Sequence, residues 1–167
     1  MSFFYSSDDD DPKRAARRPM LVFLLTTLAI GAAGRVFSEP ALREWYASLA
    51  HPASSPPAWL FAPVWTALYI VIAIAAWRVW RVVGSRSLEM AAYAIQLLLN
   101  LGWNWIFFGL HRLGASFAEI ILLDGVILVT TILFFRRDRL AGLLVLPYLI
   151  TSVFASFLTH KLWLLNP

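Results

Sequence analysis

The chain has 167 residues, of which 60% are hydrophobic and only 14% are charged, and its mean hydropathy is +0.69. A soluble domain of this size needs far more charge to cover its surface, so the composition argues against a soluble enzyme and for the bilayer as solvent. The net charge is +4, but the arginines fall between apolar runs, which indicates membrane topology rather than nucleic-acid binding. With no cysteine in the chain, disulfides, cysteine-based zinc sites and a cysteine nucleophile are excluded.

Residues 1–19 read as a disordered charged tail, with the acidic run Asp8 to Asp11 followed by Lys13, Arg14, Arg17 and Arg18. The remainder, 20–167, reads as one domain. Its first apolar run is Met20 to Gly34, extending past Arg35 to Phe37. A basic segment before it and small residues after it also fit a signal peptide, but four more spans follow. A long loop, about 38–58, holds Trp45, Tyr46, His51, Pro52, Pro56 and Pro57 and is the only long polar segment within the domain, which suggests a lid. Further spans are expected at about Trp59 to Val83, Leu88 to Leu110, Ala115 to Phe135 and Leu140 to Leu158.

These runs lack the period-two alternation of a membrane barrel, so the expected fold is all-α: a single bundle of five transmembrane helices. Short connections predict that sequential helices pack as antiparallel neighbours. Of the fourteen basic residues, ten fall on one side of the spans; only Arg35, Arg43, Arg112 and Lys161 fall on the other. In an inner or plasma membrane this places the N-terminus in the cytoplasm and the long loop opposite; an outer-membrane setting would void the rule.

The third span carries the clearest pattern. Tyr93, Gln96, Asn100, Trp103 and Phe107 recur at spacings of three and four, so they share one helical face. Amides and polar-tipped rings in that arrangement suit a planar aromatic ligand with polar edges, although Asn and Gln also serve as hydrogen-bonding glue between helices. Trp65 and Tyr69 share a face of the second span. Asp124 lies near the middle of the fourth span, with Glu119 a turn and a half before it. A mid-bilayer carboxylate suggests proton movement or a cationic ligand, unless it is protonated or bonded to Thr130 or another helix. Pro147 interrupts the fifth span. Gly102 and Gly109 on one face would allow another helix to approach, a weak sign of dimerisation. No hydrolase, phosphate-loop or dinucleotide motif occurs; His51, His111 and His160 all fall at loop or span ends, and His51 could ligate a haem iron from the loop, although a lone loop histidine is usually just solvated.

Three ordered blocks resemble the tryptophan-rich sensory protein (TspO) family, which includes the mitochondrial translocator protein. The first is Trp45-Tyr46, Leu49, Pro52, Pro56-Pro57, Trp59, Phe61, Pro63 to Thr66 and Leu68-Tyr69. The second is Tyr93, Gln96-Leu97, Asn100, Trp103 and Phe107 to Gly109. The third is Pro147 to Leu149, Phe154-Ala155, Leu158 and Leu165-Asn166. The resemblance implies a five-helix bundle, usually a homodimer, with a cavity closed by the first loop. It implies binding of porphyrin or haem and of synthetic isoquinoline carboxamides and benzodiazepines, with cholesterol associated mainly with animal members. No cofactor is obligatory and no metal site or catalytic residue is expected. Carried over by position, the ligand site comprises Trp65, Tyr69, Gln96, Asn100, Trp103 and Ala155, the last being a position where a larger side chain perturbs binding; Tyr93 and Phe107 join it from the third-span face.

The chain departs from the family pattern where Ala53-Ser54-Ser55 and Thr151 replace usual aromatics, which weakens the implied light-dependent porphyrin breakdown. Leu158-Thr159 replaces the usual Leu-Asn pair, and Lys161 lacks the preceding tyrosine of the loose sterol-recognition pattern. The expected function is a multi-pass bacterial membrane receptor, sensor or carrier for tetrapyrroles. A porphyrin-degrading enzyme and a porphyrin or proton-coupled transporter are the alternatives.

Overall fold

The computed structural model describes residues 12–167, with side chains from Arg18 onward; most of the expected tail, including its acidic run, lies outside them. The described residues form helices and connections, without a strand. The helices are α1 (Pro12–Arg43), the single turn α2 (Trp45–Ser48), α3 (Phe61–Val83), α4 (Leu88–Asn104), α5 (Leu113–Arg137) and α6 (Arg139–Leu165). A 3₁₀ turn at Ala58–Leu60 leads into α3, and a π-helical turn at Trp105–Gly109 continues α4.

The boundaries follow local chemistry. Pro56 and Pro57 cannot continue a preceding helix, and the chain enters the 3₁₀ turn directly after them. Gly84 ends α3 at a φ of 76°, donating its N–H to the Trp80 carbonyl. Ser87 caps α4 by accepting the Met90 N–H. The π turn closes through Leu110 N–H to the Trp105 carbonyl, five residues back. The widened turn buries both Phe107 and Phe108, adjacent residues that a regular helix would separate by about 100°.

Two expectations change here. The segment 38–58 is not wholly a loop, because α1 runs on through Pro40 to Arg43 and α2 follows. Proline at 40 does not end the helix, and α1 spans roughly 48 Å at 1.5 Å per residue, longer than the roughly 30 Å bilayer core. The connection that remains, 49–57, is pinned to the end of α6. Asn166 Oδ1 accepts the Ala50 N–H at 3.0 Å, and its Nδ2 donates to the Ala50 carbonyl at 3.1 Å.

Neighbour relations also differ from the sequential order. The five long helices close a ring, α1–α3–α6–α5–α4 and back to α1. Sequential α4–α5 and α5–α6 do pack side by side, but α3 lies mainly between α1 and α6 and touches its successor α4 only lightly. A short connection ties helix ends together; it does not dictate which lateral faces meet.

The α5–α6 junction rests on one residue. Asp138 donates its N–H to the Phe134 carbonyl, ending α5, and its Oδ1 accepts the Leu140 and Ala141 N–H groups, starting α6. Its Oδ2 lies 2.7 Å from the Arg78 guanidinium of α3. The hairpin closes tightly because position 142 is glycine; a Cβ there would stand 2.3 Å from the Phe135 ring. On the next connection of the same end, Glu89 of α4 accepts from Arg137 of α5 at 2.6 Å.

Four of the long helices are long and apolar enough to cross a membrane. α4 alone has 17 residues, about 26 Å, before the π turn extends it. Ile72, Val79, Ile120, Ile127, Phe134, Val145 and Tyr148 are sealed inside, whereas Leu25, Val82, Leu98, Leu122, Leu143 and Ile150 point outward and are exposed in the isolated chain. An apolar exterior of this extent matches a lipid solvent.

Burial works against the Asp138 carboxylate, but the Ala141 N–H, the Arg78 guanidinium and the Leu140 N–H outweigh it and hold its pKa below the ordinary value. The stabilisation from Asp138 is therefore present above the ordinary carboxylate pKa and is lost as pH falls through the lowered one. Asp138→Ala should cost about 1–2 kcal/mol of stability in detergent at neutral pH. Asp138→Asn should keep the cap and lose only the acid-dependent part; identical acid melting profiles for wild type and Asp138→Asn would contradict this.

Candidate functional site

A cavity of about 590 Å³ opens between α1, α3 and the end of α4. Its inner part is aromatic, with Trp65 and Tyr69 from α3, Trp103 from α4 and Phe108 from the π turn. Its outer part carries Trp59, which is 71% exposed, and the side chains of Arg35, Ser38, Glu39 and Arg43.

The wall behind the cavity is a polar chain across three helices. The Tyr69 hydroxyl donates to Asn100 Oδ1 at 2.5 Å, and Asn100 Nδ2 donates to the Tyr148 hydroxyl at 3.2 Å. All three groups are buried. One asparagine thus links α3, α4 and α6, and both halves of its amide are paired, as an apolar interior requires. The Trp65 ring stands edge-on to Tyr148 with centroids 6.0 Å apart. Trp103 stacks on Phe107 at 4.8 Å and 20°, and Trp45 meets Phe107 edge-on at 5.4 Å. Gly31 of α1 makes room for Tyr69, since a Cβ there would lie 2.5 Å from the ring.

The structure separates the eight sequence candidates into groups. Trp65, Tyr69 and Trp103 line the cavity. Asn100 stands behind Tyr69, and Phe107 stands behind Trp103. Tyr93 is directed elsewhere: its hydroxyl bonds Thr27 of α1, and it borders a second hollow of about 520 Å³ with Phe23 and Trp80. Gln96 is fully buried, and neither atom of its amide has a hydrogen-bond partner among the described residues. Ala155 of α6 is half-buried against the core and does not border the cavity. The indole N–H of Trp103 is buried and without a protein acceptor among the described residues.

The mid-span acid resolves into a helix tie. Asp124 Oδ1 accepts from Ser152 at 2.5 Å and Oδ2 from Ser156 at 2.6 Å, so α5 is clamped to α6. Thr130 bonds its own helix, at the Val126 carbonyl. His51 Nε2 lies 2.8 Å from the Tyr46 carbonyl, so the ring is held within its own segment. The described residues hold no cluster of three or more metal-ligating side chains.

Sequence reasoning missed the contribution of α1. Leu28, Gly31, Arg35, Ser38 and Leu42 border the cavity, and their spacings of three and four were visible. The small residues and the arginine within an apolar run were the available signals.

The TspO/MBR family profile matches residues 23–164. The chain belongs to the TspO/MBR family. It is 39% identical over 144 residues to tryptophan-rich protein TspO of Archaeoglobus fulgidus, covering 86% of this chain and 94% of that one. Protein CrtK of Rhodobacter capsulatus is 38% identical over 149 residues, covering 87% and 91%. The translocator protein of Ovis aries is 32% identical over 149 residues, covering 87% and 88%. Family membership together with four apolar helices of spanning length makes this a multi-pass membrane protein.

The close fit of Tyr69 on Gly31 gives a direct test. Gly31→Ala should push the Tyr69 ring away from α1, strain its bond to Asn100 and cost about 1–3 kcal/mol of stability. Gly125→Ala, where nothing lies within 4 Å of the added methyl, should be neutral or slightly stabilising. Equal melting of Gly31→Ala and wild type in detergent would contradict the packing.

Proposed function

We propose that this TspO/MBR protein is a membrane receptor, sensor or carrier that takes tetrapyrroles, porphyrin or haem, into the cavity between α1, α3 and the end of α4. The observation that carries the reading is the cavity itself. Its volume of about 590 Å³ falls in the range of roughly 300–1,000 Å³ usual for small-molecule sites. Indole and phenol faces line its inner part, which suits a flat conjugated ring. Relatives named translocator protein and tryptophan-rich sensory protein accord with a transport or sensory role.

In this reading all five long helices cross the bilayer, with α4 and its π turn together reaching across. The N-terminus lies on the side rich in Arg78, Arg81, Arg86, Arg136, Arg137 and Arg139, which is the cytoplasm if the membrane is an inner one. Of the stretch expected as a closing loop, Ser38, Glu39, Leu42, Arg43 and Ala58 border the cavity mouth, while the segment 49–57 is held to Asn166 outside the lining. A homodimer is part of the proposal by family resemblance. Asp124 serves the bundle as a tie rather than as a proton carrier.

Titration of the purified protein with protoporphyrin, followed by tryptophan quenching and the porphyrin absorbance band, tests the proposal. Saturable binding in the low micromolar range or tighter, about 8 kcal/mol or more, is expected. The double variant Trp65→Leu/Trp103→Leu should weaken it about tenfold, since each aromatic contact contributes about 0.5–1.5 kcal/mol. Non-saturating uptake that ignores both substitutions would show hydrophobic partitioning and overturn the assignment.

A further inference from the structure

We infer that the cavity selects a ligand bearing a carboxylate on the edge of its aromatic body, and that Arg35 is the residue that reads it. The inference rests on the proposed binding of a porphyrin-like ligand in this cavity and adds its charge and its orientation.

The cavity is graded along α1. Gly31 packs against Tyr69 at the aromatic end. Arg35 comes one turn later, about 6 Å along the axis, and Glu39 and Arg43 follow at the open end. These are the charged side chains lining the cavity. Glu39 lies four residues from both arginines, but its Oε1 bonds Arg43 at 3.1 Å. That pair is self-compensating. No hydrogen bond or ion pair to Arg35 is formed among the described residues, so the lining carries one uncompensated positive charge at the boundary between the aromatic and open parts.

A guanidinium beside a low-dielectric aromatic hollow favours an anion there more than one in open water does. Its planar fork matches a carboxylate better than a single donor would. A neutral planar ligand would lack the charge-assisted part of the interaction with Arg35. A ligand with an edge acid would place its rings against Trp65, Tyr69 and Trp103 and its acid at Arg35, facing the opening. That fixes the entry orientation, rings first.

Protoporphyrin and its dimethyl ester share the ring and differ in the acids, so they separate the two contributions. Both are titrated against the full-length wild type, Arg35→Gln and Arg35→Lys in a non-ionic detergent. Wild type should prefer the diacid by about tenfold, and raised salt should shrink that preference. Arg35→Gln should lose the preference, chiefly by weakening the diacid, and Arg35→Lys should restore part of it. Equal affinity of wild type for acid and ester, or an undiminished preference in Arg35→Gln, would overturn the inference while leaving the proposed function standing. Saturable binding of neither compound by wild type would sink the proposed function, and this inference with it.

Discussion

A polar side chain between membrane helices has no solvent to fall back on, and Asn100 meets that constraint by bonding two helices at once. Its carbonyl oxygen accepts from Tyr69 on α3 and its amide donates to Tyr148 on α6. In hydrocarbon an unpaired amide costs several kcal/mol, so the positions of α3 and α6 relative to α4 are held by hydrogen bonding as well as by packing. The arrangement of the cavity follows. Tyr69, fixed from behind by Asn100 and accommodated in front by Gly31, presents its ring to the hollow. Tyr148 supports Trp65 edge-on from the far side.

The same economy recurs at both ends and in the middle of the bundle. Asp138 ends one helix, begins the next and pairs with Arg78 of a third. Asp124 binds α5 to α6 through Ser152 and Ser156. Asn166 fastens the 49–57 segment through both atoms of its amide. Where lipid-facing surfaces give no hydrophobic drive for helix to meet helix, such polar ties and close glycine contacts decide the neighbours. α1 lies differently. It is bound to α4 through Thr27 and Tyr93 at one end and through Gly34 against Asn104 further along, and it meets α3 where Gly31 packs on Tyr69; the hollow opens along its flank.

The α4 face was legible because a helical period forces Tyr93, Gln96, Asn100, Trp103 and Phe107 onto one side whatever they meet. What they meet was not legible. The period cannot say that Asn100 faces two tyrosines or that Tyr93 turns to a separate hollow near α1. Composition announced the apolar helices, yet it could not give the ring order, which depends on lateral contacts between residues far apart in sequence. The extent of α1 was obscured by Pro40, a residue that usually marks a boundary but here sits within the helix. The π turn after Asn104 left no sequence sign beyond Gly109, whose small size lets the Trp105 ring lie against it. Asp124 stood out as a mid-span acid, and its serine partners twenty-eight and thirty-two residues later became visible only once α5 and α6 were side by side.

The most direct test is a double-mutant cycle between Tyr69→Phe and Asn100→Leu, read as unfolding free energy in detergent. If the tie between α3 and α4 holds the cavity wall, the two substitutions should be non-additive by about 0.5–2 kcal/mol, in the range measured for contacting residues and for interhelical hydrogen bonds in membranes. Additivity within about 0.3 kcal/mol would mean that the two side chains act independently, and the account of the wall built on Asn100 would be wrong.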